Sequence, residues 1–291
     1  MRSNLLRLAG LTVSTAAATA ALLVPSAAMA TPKGDYAVFA DCPVKVVTTC
    51  IYAKTETGKF VVGKETVPIE KAITLQGGLN GNEAGEVTFV AATDGNTLSK
   101  TPQKVPGGLA GLVKCNEISN FLERIACEVV FENGATGVNA TTELAAPASS
   151  IGINLGNYLA KSGTALSLPV KVHLENPFLG SACYIGSNSA PVVINLTTGT
   201  TAPPPPNKPI TGSIGKEETK GEEEILVFSK NSLVNNSFAA PGATGCGGLF
   251  EFLIDPIVNS KVGLPSAAGH NTAVLNGTEE ITSSEAVKAH E

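Results

Sequence analysis

From Thr31 onward the chain is broken into short runs of β-branched and aliphatic residues, and glycine or proline stands at nearly every break. Cys50-Ile51-Tyr52-Ala53, Lys59-Phe60-Val61-Val62, Val67-Pro68-Ile69 and Ala72-Ile73-Thr74-Leu75 follow one another, with Gly58, Gly63 and Gly77-Gly78 at the corners. Runs this short do not sustain helices, whereas β-branched side chains pack well on a pleated surface. The pattern predicts antiparallel sheet. Pro68 has no N–H to give to a central ladder, so it belongs at an edge or a bulge. Residues 86–91, 138–144, 168–174, 191–196 and 271–281 continue the series. Within 168–174, Val170, Val172 and Leu174 alternate with Lys171 and His173, the period of a half-buried strand.

Helix signals are fewer. Residues 116–125 place Ile118, Phe121, Leu122 and Ile125 on one face, and residues 156–161 read as a short turn or helical piece. Asp255-Pro256 suits a cap and a first helical turn, with Gly263 and Pro265 closing the helix. Residues 284–291 form a last short helix or tail. About a dozen strands with two or three short helices describe a mainly β protein, an antiparallel β-sandwich-like fold. A Pro/Gly loop at 101–111 marks a boundary. The expected organisation is one composite domain or two packed β subdomains, 31–106 and 107–291. The second carries an exposed Pro-rich loop at 197–209, with four consecutive prolines at 203–206.

Residues 1–30 read as a secretory signal peptide. Arg2 and Arg7 are the positive end, residues 8–24 are apolar, and Ala28-Met29-Ala30 fits the small-x-small cleavage rule. Cleavage after Ala30 takes the formal charge from −5 to −7, because two arginines leave. No later stretch approaches the roughly 18 uncharged apolar residues of a membrane span, so the mature chain is expected to have no transmembrane segment and to be secreted.

Export places Cys42, Cys50, Cys115, Cys127, Cys183 and Cys246 where thiols oxidise. Sequence alone cannot prove the pairing of six cysteines. Spacing favours 42–50, 115–127 and 183–246. Cross-links suit a chain with 5% aromatic residues and no Trp, which has little large side-chain area to bury. No C-x-x-C occurs, so neither a metal site nor a cofactor is expected.

The acidic balance argues against a nucleic-acid partner. Of three histidines, His173 lies on the polar face of its strand and is expected to meet solvent, and His290 sits in the tail. His270, after Ala267-Ala268-Gly269, is the one candidate for a catalytic base. G-x-S-x-G, H-E-x-x-H, P-loop and EF-hand patterns are absent. Gly245-Cys246-Gly247-Gly248 has the backbone freedom of an oxyanion turn, but its Cys is already assigned to a disulfide. A carboxylate pair leaves no spacing signature. The acidic run at 222–224 reads as a solvated turn.

Leu174-Glu175-Asn176-Pro177-Phe178-Leu179-Gly180 with Cys183-Tyr184-Ile185-Gly186 resembles a group of uncharacterised, signal-peptide-bearing exported proteins of actinobacteria. The same similarity extends to Ala40-Asp41-Cys42-Pro43, Asn207-Lys208-Pro209-Ile210, residues 241–248 and residues 263–269. The group has no known activity, so the resemblance implies an exported Gram-positive setting and nothing about chemistry. The leading expectation is a secreted extracellular or cell-envelope protein, non-enzymatic, structural or binding, with a protein or envelope partner. A secreted hydrolase using His270 or a carboxylate pair would need that histidine in a cleft beside a hydroxyl or carboxylate. A carrier of a small apolar ligand would need a continuous apolar cavity.

Overall fold

The structure is a computed structural model that describes residues 31–81, 87–109, 119–222 without 128–136, and 224–291. The proposed signal peptide and Cys115, with the 115–127 pairing, lie outside the described residues. The strands, in chain order, are β1 (Thr49–Val62), β2 (Glu65–Pro68), β3 (Ile73–Gly81), β4 (Val87–Ala91) and β5 (Gln103–Val105). Then come β6 (Val138–Leu144), β7 (Gly152–Ile153), β8 (Leu166–Glu175), β9 (Tyr184–Ile185) and β10 (Val192–Leu196). The last are β11 (Lys216–Lys220), β12 (Ile225–Asn235), β13 (Ala243–Thr244) and β14 (Thr272–Ser283). Short α-helices cover Phe121–Cys127, Leu155–Ala160, Glu251–Val262 and Ser284–Ala289.

These strands form two antiparallel sheets. The first runs β11-β12-β14-β1-β3-β4, with β2 also on β1. The second runs β13-β9-β8-β6-β5, with β7 and β10 also on β8. The first sheet draws strands from both sides of residue 107, because β14 lies between β1 and β12. Residues 31–291 make one compact unit. The alternation in β8 is as its residues dictate: Val170 and Leu174 enter the core, and Lys171 and His173 point away. Pro68 pairs with Lys59 at the end of β2, where a missing N–H costs least.

The main core fills the space between the sheets, with Ile51, Phe89, Val138, Val170, Leu196 and Phe228 among its most buried members. A smaller cluster covers the outer face of the first sheet. There Tyr36 and Phe39 pack with Ile225, Val227 and Val287 beside the Cys42–Cys50 disulfide. Lys33 and Tyr36 meet the residues around His290 in this cluster. The Tyr36 ring stacks on His290 at 3.9 Å, and the Lys33 N–H donates to the His290 carbonyl. His290, although it sits in the tail, is therefore pinned. Tyr36 also donates to the Gly221 carbonyl and to Glu224, so part of the acidic run anchors the N-terminal segment. Burial and Glu224 together push the Tyr36 phenol up to about 12.

The second described disulfide joins Cys183 to Cys246. Its Cys246 turn precedes the Glu251–Val262 helix, which begins earlier than Asp255-Pro256 suggests. Asp255 does not cap that helix: its carboxylate accepts from the Gly245 and Cys246 N–H groups. Gly263, left-handed at φ 77°, ends the helix as expected. In the Phe121–Cys127 helix, Phe121 and Leu122 are exposed rather than core-facing.

One irregularity shapes the inside of the first sheet. β1 is bulged between Thr55 and Thr57, and β12 between Ser229 and Asn231, on either side of the same β14 residue, Gly277. An extra residue reverses which parity of side chains faces inward. Phe228 and Asn231 thus both face the core, although they are an odd number apart. A side chain at Gly277 would overlap the Lys54 carbonyl, so glycine is required where the three backbones converge. Gly277→Ala is expected to cost about 2 kcal/mol or more in urea unfolding, by forcing backbone apart. A loss below half that value would show that the convergence is loose.

Candidate functional site

The catalytic constellation sought around His270 is not assembled. His270 is exposed, and among the described residues its ring has no hydrogen-bond partner. The glycine turn at 245–248 has converging N–H donors, but the Asp255 carboxylate occupies them. His173 is better buried than expected. It stacks on Tyr184 at 4.5 Å, and its Nδ1 lies 3.5 Å from Glu175. Lys171 sits over the same Tyr184 ring, 4.8 Å from its centre, and pairs with Glu143 at 3.9 Å. Burial, Glu143 and Glu175 raise the Tyr184 phenol. This is a packed polar layer on the outer face of the second sheet. Among the described residues no three His, Cys, Asp or Glu side chains gather to hold a metal.

The Pro-rich loop is exposed at residues 204–206, yet its base is tied down. Asn207 donates to the carbonyls of Asn236 and Asn271, and Asn236 donates to that of Lys208.

The space between the sheets offers a different kind of site. One apolar chamber of about 70 Å³ is lined by Ile51, Leu75, Leu168, Leu196 and Leu233, among others. A second, of about 60 Å³, is lined by Val105, Val172, Ile185, Phe238 and Val262, among others. They adjoin: Phe60, Thr142, Val170 and Ile194 line both.

The first chamber ends in a polar cluster made by Tyr158, Asn231 and Glu279. Each residue is brought there by a different element. Tyr158 comes from the short helix after Asn154, whose side chain accepts from the Asn157 N–H and fixes the first turn. The helix stops at Lys161, left-handed at φ 53°, so one turn delivers one aromatic side chain inward. Tyr158 packs edge-on against Phe228 at 5.0 Å. Asn231 is turned inward by the bulge in β12. Glu279 follows from strand parity in β14, where Ala273, Gly277, Glu279 and Ile281 share the buried face.

The Asn231 amide donates to the Tyr158 hydroxyl at 3.2 Å, and Glu279 lines the same end of the chamber. The Tyr158 hydroxyl also lies 3.4 Å from the Ile214 carbonyl. Burial holds the Glu279 carboxyl up at about 7, against the opposing pull of the Tyr158 hydroxyl. Burial and then the neighbouring Glu279 raise the Tyr158 phenol as well. An acidic residue on the apolar face of an alternating strand was the available signal for Glu279. Tyr158 and Asn231 carried none, because one depends on a helix cap and the other on a bulge.

No protein-family model matches the chain, and no curated protein or solved structure gives a significant match.

Proposed function

We propose that the chain is an exported, non-enzymatic binding protein that holds a small apolar ligand between its two sheets. The observation that carries this reading is Glu279. Its carboxyl is buried against an otherwise apolar chamber, with a tyrosine and an asparagine beside it. A site that buries a ligand's apolar body and orients it with a few polar groups has this composition. The chambers set the scale. An apolar cavity of about 150 Å³ takes a benzene-sized molecule, so two adjoining chambers of about 70 and 60 Å³ suit a ligand of similar or smaller size. The two disulfides are compatible with an extracellular protein, and the leader-like residues 1–30 and the resemblance to exported actinobacterial proteins support the same setting.

Thermal unfolding with benzene or butan-1-ol at increasing concentration tests the proposal. A ligand that binds only the folded state stabilises it, by about 2.7 kcal/mol at a hundredfold excess over Kd. For a chain this long that is a rise of roughly 5–10 °C. Ala53→Leu, which puts extra methyl groups into the first chamber, is expected to abolish the rise. An unfolding temperature that no apolar probe moves in the wild-type protein rejects a ligand cavity.

A further inference from the structure

We infer that the ligand bears a primary amine, a short alkylammonium whose head meets Glu279 and Asn231 while its tail fills the apolar chamber. This rests on the binding role proposed above and names the class of molecule bound.

The hydrogen-bonding capacity at the polar end decides the head group. The Tyr158 hydroxyl has one proton, and the Ile214 carbonyl takes it. One Asn231 N–H goes to the Tyr158 oxygen. That donation is the one side-chain hydrogen bond Asn231 makes among the described residues, and its amide lines the chamber with Glu279. What remains open is therefore mainly acceptor. An ammonium offers three donors, an alcohol one, and a carboxylate none.

Charge points the same way. Lys54 is the cationic residue lining the chamber, but its ammonium is held by Glu56 at 2.9 Å on the exposed side of β1. No described cation pairs with Glu279. Burial raises the carboxyl toward its neutral form because that counter-charge is missing. A ligand ammonium supplies it. Buried ion pairs are favourable only when their remaining hydrogen bonds are also met. Here Tyr158 and Asn231 are already placed to meet them. The chamber volumes limit the tail to a few carbons.

Isothermal titration calorimetry of the exported protein at pH 8 with butylamine, butan-1-ol and butanoate tests this directly. The three share a tail and differ in head. Butylamine is expected to bind at least about tenfold more tightly than either of the others. Glu279→Gln is expected to erase that preference, so that butylamine and butan-1-ol bind this variant within about threefold of each other. Equal binding of all three leaves the cavity in place and overturns the amine. So does a preference that survives in Glu279→Gln. Binding of none overturns the cavity and the amine together. The wild-type ranking needs no variant to fold.

Discussion

Replacing both Cys183 and Cys246 with alanine is expected to lower unfolding free energy by about 4 kcal/mol. The size follows from sequence separation. The bridge closes a loop between residues 63 apart, against 8 for Cys42–Cys50, for which the same chain-entropy relation gives about 2.5 kcal/mol. The native geometry around the longer bridge does not depend on it alone. Next to Cys183, β9 pairs with β13, and next to Cys246 the Asp255 carboxylate holds the turn. The folded state should therefore survive the change with its ladder intact, and the loss should come mostly from a less restricted unfolded chain. Urea unfolding measures it, with near-ultraviolet circular dichroism reporting that the native packing is kept. A loss under about 1 kcal/mol would falsify the account, because it would mean the unfolded chain is already confined without the bridge.

Glu279→Gln should act in the opposite direction at alkaline pH. The folded-state carboxyl titrates at about 7 and its ordinary value is 4.5. The folded protein therefore binds the proton more tightly than the unfolded chain does. Stability from this group is fully present below about pH 4.5, falls as pH rises through the window to about 7, and stays low above it. The gap corresponds to about 3 kcal/mol. Glutamine keeps the shape and cannot ionise, so the variant should be more stable than wild type at pH 8 by up to that amount. At pH 4 the two should be nearly equal. Chemical denaturation of both proteins at pH 4, 6 and 8 isolates the contribution, since every other titrating group is common to them. A difference that does not grow with pH would show that Glu279 is ionised and well compensated in the folded protein.

The residues made much of this architecture readable. Leu168 through Leu174 announce a half-buried strand, and the Gly-bounded runs from Cys50 to Leu75 announce antiparallel sheet; both are present. Gly263 ends its helix where a left-handed residue was expected. The cysteine spacing agrees with both described disulfides. Asp255 is the instructive exception. Its position before Pro256 has the local form of a cap, yet its partners are N–H groups ten and nine residues back. Local patterns score a side chain against its own helix, and this carboxylate was taken by a turn that only the fold brings near.

The candidate site divides in the same manner. That Glu279 shares a strand face with Ala273 and Ile281 is a matter of period, and the chain alone determines it. That this face looks into a chamber with Tyr158 and Asn231 was decided by tertiary structure. β14 pairs with β1, more than 200 residues earlier, and with β12, and bulges in both partners face Gly277. A strand's own alternation is set by bond geometry within a few residues, so it can be read along the chain. Which strands pair, and where an extra residue is absorbed, is settled by packing between distant segments, and no local pattern carries that information.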